Sequence, residues 1–478
     1  MATSDTGGDT GGTFIERLGY RLSAWVERWM PSPFLFAIIL TYIVFVAGLV
    51  TTDAGPGELV GYWYGGFWAF LQFSMQMVLI LMTGFVVAYH PRVNAGIQRL
   101  TLLPSTGKQA VVLVAVVTML LGWVHWGLSL ILGAIFAREM GKTAREEGID
   151  VHYPVLCVAG YMGLGLTWHW GLSASAPLLI ATEGNEFISQ GVLDAVVPAS
   201  ETIFHPYALI LTFVSIVYAS AVFYLLTPSG EDARGISHYV DESELETGTS
   251  GPSPGEEVAD GGTPVASETV PADRINNSRV LGFIIAVTGV GVVVYQFIQM
   301  GINALSLNVV NFGFLMTGVL IYLRPQVYRD RFGDAATAAA GIILLFPFFA
   351  GIQGMMASSG LAELVAQSLI DISSPATFPV VAWLSGAVVN LFVPSGGGEW
   401  IVLGPSIIGA AQDLGVPVGQ ATIAYAVGDA HTNLLNPFWA LPLLAITGIK
   451  AREMFGYAIA MLLALIPFLA VILYVLPY

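Results

Sequence analysis

Apolar runs long enough for a helix to cross a bilayer, roughly 20 residues, recur along the chain between short polar stretches. They predict full spans over 33–52, 70–89, 154–181, 201–227, 280–300, 306–323, 335–357, 421–447 and 453–476. Two further apolar stretches do not fit one crossing. The first, 109–137, is broken by Gly122, Gly127 and Gly133; the second, 376–410, by Pro394, Gly396, Gly397, Gly398 and Pro405. Each predicts a re-entrant hairpin.

Between the tail 1–13 and the first span, Phe14, Leu18, Leu22, Trp25, Val26 and Trp29 form one helical stripe, with Arg17, Arg21 and Arg28 among the polar positions. That pattern predicts an amphipathic helix on the membrane surface. Residues 228–278 carry 11 Asp/Glu against Arg234 and Arg274 and are rich in Gly, Ser, Thr and Pro. Their composition predicts a disordered acidic linker. The expected organisation is therefore a tail and interfacial helix (1–30), a first membrane repeat (31–227), the linker (228–278), a connector span (279–305) and a second repeat (306–478).

Composition agrees. Of the 478 residues, 55% are hydrophobic and only 10% charged, against about 25% charged in an ordinary soluble domain. The net charge of −16 is concentrated in the linker and so says little about a ligand. Cys157 is the single cysteine, which excludes a disulfide framework.

Lys and Arg favour cytoplasmic loops near span ends. With nine spans and two hairpins, all 17 Lys/Arg fall on one side. A single crossing at 109–137 would instead put Arg138, Lys142 and Arg145 outside. This topology places the N-terminus and linker in the cytoplasm and the C-terminus outside, in a multi-pass protein of the plasma membrane.

Each half then has two spans, a hairpin, a broken span and a final span, and an odd number of crossings turns the second half upside down. Residues 176–182 (APLLIAT) resemble 441–447 (LPLLAIT), and the same offset of 265 pairs Gly163 with Gly428 and Gly133 with Gly398. The expected fold is all-α: an inverted-repeat secondary transporter, whose substrate and coupling-ion sites lie near the bilayer midplane at interrupted helices.

The candidate chemistry sits at those interruptions. In Asn390–Trp400, Pro394 ends one arm, and Gly396, Gly397 and Gly398 let the backbone approach a ligand closely. The next arm opens with free N–H groups and a positive dipole end, a receptor for a carboxylate, and Ser395 adds a hydroxyl. The matching tip of the first hairpin offers Trp126, His125 and Ser129. The broken spans offer Thr167, Trp168, His169 and Ser173 in one half and Asp429, Asn433 and Asn436 in the other. Ionisable groups inside a membrane are functional candidates, so Glu399, Asp429, His125 and His169, with Thr167, are candidates for ion coupling. The histidines show no metal-ligand spacing, and neither HExxH nor a Walker-type GxxxxGK[ST] occurs.

The blocks RWMPSPFLFA (28–37), MQMVLILMTG (75–84), YMGLGLTW (161–168), FPFFAGIQGMM (346–356), NLFVPSGGGEW (390–400) and NPFWALPLLAI (436–446) resemble the AtoE-type short-chain fatty acid transporter family. The resemblance covers nearly the whole chain outside the tail and linker. It implies uptake or exchange of short monocarboxylates such as acetoacetate or butyrate, driven by an ion gradient (Na⁺ or H⁺), with no cofactor. Similarity to the wider ion-transporter group with paired hairpins adds the expectation of a homodimer. No role with nucleic acid is expected.

The expected function is secondary transport of a short monocarboxylate, with its carboxylate at the second hairpin tip and Trp126 and Trp168 over its tail. A dicarboxylate or amino-acid symporter is the runner-up; against it, no Lys or Arg lies in a predicted membrane core. An intramembrane hydrolase would need a paired nucleophile and base, for which Ser395 with His125 is the only loose candidate.

Overall fold

The computed structural model describes residues 33–241, 245, 271–391, 395–436 and 439–478. The surface helix expected over 14–29, the middle of the acidic linker and Pro394 lie outside them. No strand occurs among the described residues, as expected of spans whose backbone groups must be satisfied within the segment.

In the first half, α1 (Pro33–Thr51) and α3 (Leu71–Ala88) match the first two predicted spans. The hairpin follows as α5 (Gly107–Val124) and α6 (Trp126–Glu146), broken at His125. The predicted span 154–181 is interrupted: α7 (Tyr153–Met162) runs into a π-turn at Gly163–Thr167 and a 3₁₀ turn at Trp168–Trp170, and α8 (Ser175–Ala181) completes it. Helix α9 (Pro206–Leu226) closes the half.

After the connector α10 (Arg279–Met300), the second half holds α11 (Leu307–Tyr322) and α12 (Pro325–Ser359). Its hairpin arms are α14 (Phe378–Asn390) and α15 (Gly396–Leu414). A second interrupted helix follows, α16 (Val418–Thr432) and α17 (Leu441–Thr447), then α18 (Ala451–Val475). All nine predicted spans and both hairpins thus have helices at their positions. Six helices among the described residues are long and apolar enough to cross a membrane, and α1, α11 and α14 are shorter apolar ones.

Three predicted loops are helical instead: α2 (Pro56–Gly66), α4 (Pro91–Thr101) and α13 (Leu361–Asp371). Proline in the first turn of α2 and α4 pre-sets the helical φ at no cost in hydrogen bonds, and the His90 imidazole accepts from the Arg92 N–H at the start of α4. Helix α12 begins ten residues before the predicted 335 and ends at Gly360, whose φ of 83° is the left-handed conformation glycine adopts freely.

The start of the acidic stretch is also ordered, contrary to the disordered reading. Ile236 and Val240 are buried, the Tyr239 ring lies 6.2 Å from that of Tyr153, and the Arg234 carbonyl accepts from the Tyr153 N–H at 2.9 Å. These apolar anchors dock residues 230–240 against α6 and α7.

The two halves share one helix crossing. On α7's continuation, a Cβ at Gly163 would overlap Ser129 Oγ and the Thr118 carbonyl of α5, and a Cβ at Gly122 would overlap the Gly163 backbone. On α16, a Cβ at Gly428 would overlap the Trp383 carbonyl and the Ala387 amide of α14. Thr118 and Trp383, and Gly122 and Ala387, differ by the same 265 positions as the two glycines. Small residues let membrane helices approach this closely, where backbone packing holds them together.

Candidate functional site

The interrupted helices meet near the middle of the fold. The Asn433 side-chain amide donates to the Leu164 carbonyl (3.1 Å), and the Tyr161 hydroxyl donates to the Asn433 carbonyl (3.3 Å). Leu434 packs on Gly165. Beside this junction lies a narrow cavity of about 20 Å³, room for about one water. Its polar wall is the second hairpin tip (Ser395, Gly396, Gly397) with Ser175 and Asn433. Its apolar wall is Trp126, Trp168 and Trp439, closed by Met77, Ile342 and Phe346. The three indoles lock together edge-on: Trp126 lies 5.9 Å from Trp168 and 5.6 Å from Trp439. Among the described residues, neither Lys nor Arg lines the cavity.

The chemistry of the tip follows from where its helix starts. The first amides of α15 have no acceptor within their own helix. The Ser395 hydroxyl oxygen accepts from the Gly398 N–H (3.3 Å), and the Ser395 carbonyl from the Glu399 N–H (2.7 Å). Gly396 and Gly397 line the cavity, and among the described residues their amides have no acceptor; the Ser395 O–H and the positive end of α15 lie beside them. One carboxylate matches that donor set.

The candidate residues sort into two groups. Trp126, Trp168, Ser395, Gly396, Gly397 and Asn433 come together around the cavity. Gly398 does not: its amide is capped by Ser395, and the Phe349 ring fills the place of a side chain. Asn390 clamps α14 to α16 by donating to the Asp429 carbonyl (2.8 Å), Thr432 Oγ1 (3.0 Å) and Asn433 Oδ1 (3.0 Å). Asn436 is buried outside the lining. The small polar groups of the first half bond across helices: Ser129 Oγ donates to the Thr118 carbonyl (2.9 Å) and Thr167 Oγ1 to the Met119 carbonyl (2.6 Å), while Ser173 Oγ accepts from the Trp126 N–H (2.9 Å). His125 Nδ1 accepts from the Leu128 N–H (3.1 Å), and the ring rests 4.1 Å from that of Phe314. In this arrangement Ser129, Ser173, His125 and Thr167, expected as substrate or ion ligands, bond to backbone groups and do not line the cavity. Ser175, Met77, Ile342, Phe346 and Trp439 are wall residues the sequence did not single out.

Next to the tip is a fully buried ionisable cluster. His169 Nδ1 lies 2.5 Å from Asp429 Oδ2, and His169 Nε2 accepts from the Ala176 N–H (3.3 Å). The His169 ring stacks on Trp168, 4.2 Å between centroids, one ring behind the cavity wall. The Glu399 carboxyl faces Asp429 and the Tyr425 hydroxyl. Tyr425 packs on Trp400 at 4.6 Å. His431 belongs elsewhere, its Nε2 3.2 Å from the Leu462 carbonyl.

A family model described as short chain fatty acid transporter matches residues 14–476. A relative from Escherichia coli (strain K12), provisionally named a short-chain fatty acid transporter, is 36% identical over 451 residues, covering 94% of this chain and 97% of its own length. One from Haemophilus influenzae with the same provisional name is 33% identical over 464 residues, covering 96% and 99%. Among solved structures, the YdaH transporter of Alcanivorax borkumensis, described as having an unusual topology, superposes with a TM-score of 0.54 at 17% identity, over 92% of this chain and 98% of that one. At that identity the likeness speaks to the fold alone.

Proposed function

Since this chain belongs to the short chain fatty acid transporter family, we propose that it carries short monocarboxylates of the acetoacetate or butyrate type across the plasma membrane, driven by an ion gradient. The observation that carries the reading is the second tip: Ser395, Gly396 and Gly397, with Ser175 and Asn433, form the polar wall of a cavity closed otherwise by aromatic and aliphatic side chains. The two walls match an anionic head and a short apolar tail in chemistry, and the cavity, with room for about one water, must widen to take them. The absence of Lys and Arg from the lining speaks against a second carboxylate and so against the dicarboxylate reading. Ser395 and His125 serve as caps of different helices, which leaves the hydrolase reading without a nucleophile–base pair.

The crossing repeated at offset 265 supports an inverted repeat, with the N-terminus and linker cytoplasmic and the C-terminus outside. In this reading the hairpins and interrupted helices move as a block against the remaining helices, carrying the cavity from one side to the other. Charge placement supports the orientation: Lys450 and Arg452 flank the start of α18, on the side of Arg138.

Proteoliposome uptake of labelled butyrate and acetoacetate under imposed Na⁺ or H⁺ gradients tests this. Gradient-dependent accumulation above protein-free liposomes is expected. Its absence for both substrates under both gradients contradicts the reading.

A further inference from the structure

We propose that the coupling ion is a proton, held by the Glu399–Asp429 carboxyl pair, and that one proton enters with each carboxylate bound at the hairpin tip. This rests on the substrate reading above and deepens it.

Both carboxyls are fully buried and face each other. Among the described residues, neither the Glu399 oxygens nor the Tyr425 hydroxyl beside them has a hydrogen-bond partner outside this cluster. Two negative charges held side by side out of water repel each other strongly, so the pair is a place for a proton. Every facing group can be named. Glu399 comes from α15, Asp429 and Tyr425 from α16, and His169 from the turn before α8. The parts of α3, α8, α12 and α14 that reach the tip contribute no titratable side chain. Because His169 Nε2 accepts a backbone N–H, its own proton sits on Nδ1, pointed at Asp429 Oδ2. The histidine is thus a donor to the pair, and among the described residues no Lys or Arg pairs with either carboxyl.

The pair is also joined to the substrate site. A Cβ on Gly396 would lie 2.9 Å from Asp429 Oδ2 and 2.5 Å from the Trp168 ring. The amide that receives the substrate carboxylate and the Asp429 carboxyl therefore share one small volume. A substrate anion arriving there raises the cost of negative charge on the pair, so binding draws in a proton. By linkage, protonation strengthens anion binding by the same factor. The proton occupies a lone pair of a carboxyl oxygen; no covalent bond of the substrate changes. Carrier and cargo together gain no net charge, which suits passage through the membrane core.

The test is calorimetric titration of detergent-purified full-length protein with sodium butyrate and with potassium butyrate, each in two buffers of different ionisation enthalpy. The expected result is uptake of about one proton per butyrate, the same with either cation, and an affinity that falls about tenfold per pH unit above the titration of the pair. Asp429→Asn and Glu399→Gln should each bind butyrate with that proton uptake lost. Butyrate binding by the natural protein without proton uptake, or binding that requires sodium, overturns the proposal. The natural protein decides it even if a variant does not fold. Failure to bind any short monocarboxylate defeats the substrate reading instead, so the two failures are told apart.

Discussion

Each of the two hairpins starts its second arm at a tip, and the tips differ in what the first amides of that arm do. At the first tip, the Trp126 amide is taken by Ser173, the Leu128 amide by the His125 ring and the Ser129 amide by the His125 carbonyl, and the Trp123 carbonyl accepts from the Leu172 N–H at 2.6 Å. One residue, in extended conformation, makes the turn. At the second tip, Ser395 takes the third and fourth amides of α15 and leaves Gly396 and Gly397 at the cavity. A helix start is a latent anion site wherever its orphan amides stay unpaired. The first tip has closed that site and become an anchor. The second keeps Gly396 and Gly397 at the cavity, where we propose the substrate carboxylate binds.

Substitutions that exchange those roles should break the contrast. The largest effect is expected at Gly396. A leucine there collides with Trp168, His169 and Asp429, so Gly396→Leu should abolish butyrate uptake, read in proteoliposomes at equal reconstituted protein. Next come the crossing glycines. Gly163→Ala and Gly428→Ala each drive a methyl into a backbone carbonyl and should cost about 3 kcal/mol or more, seen as loss of a monodisperse peak and a lowered melting temperature in detergent; if only one of them does so, the two crossings are not equivalent.

The paired serines separate receptor from anchor more finely. Ser395→Ala should lower butyrate affinity about tenfold, the worth of a lost hydrogen bond to a charged group, with a smaller loss of stability from the cap. Ser173→Ala leaves the Trp126 amide buried without an acceptor and should cost about 1–3 kcal/mol of stability while butyrate affinity changes less than in Ser395→Ala. The smallest effect belongs to His125→Asn: asparagine is a good helix cap, so uptake and melting temperature should stay close to those of the natural chain. A large uptake defect there would restore His125 as a functional group.

The fold was legible because a bilayer imposes a length. Nine runs of suitable hydropathy have helices at their positions, and the break in 154–181 was visible as a cluster of Trp, His, Gly and Ser where an uninterrupted span would be aliphatic. Helices α2, α4 and α13 escaped because eleven residues of mixed polarity carry little periodic signal. The docked start of the acidic stretch had a signal in Ile236, Tyr239 and Val240, which average composition hides. At the site, Gly396, Gly397 and Ser395 could be read because a glycine run inside a membrane has few structural uses. The roles of Ser129, Thr167 and Ser173 could not. Whether a small hydroxyl bonds a neighbouring backbone or faces a ligand depends on a partner 11 to 48 residues away. Met77, Ile342 and Phe346 are ordinary apolar residues of α3 and α12, and only the fold brings them to the cavity.

The open-receptor, closed-anchor account is tested most directly by amide hydrogen–deuterium exchange of the full chain with and without butyrate. Peptides covering 390–400 should exchange more slowly when butyrate is bound, and peptides covering 120–130 should be unchanged. Protection confined to the first tip, or binding of butyrate with no change at the second, would contradict the account.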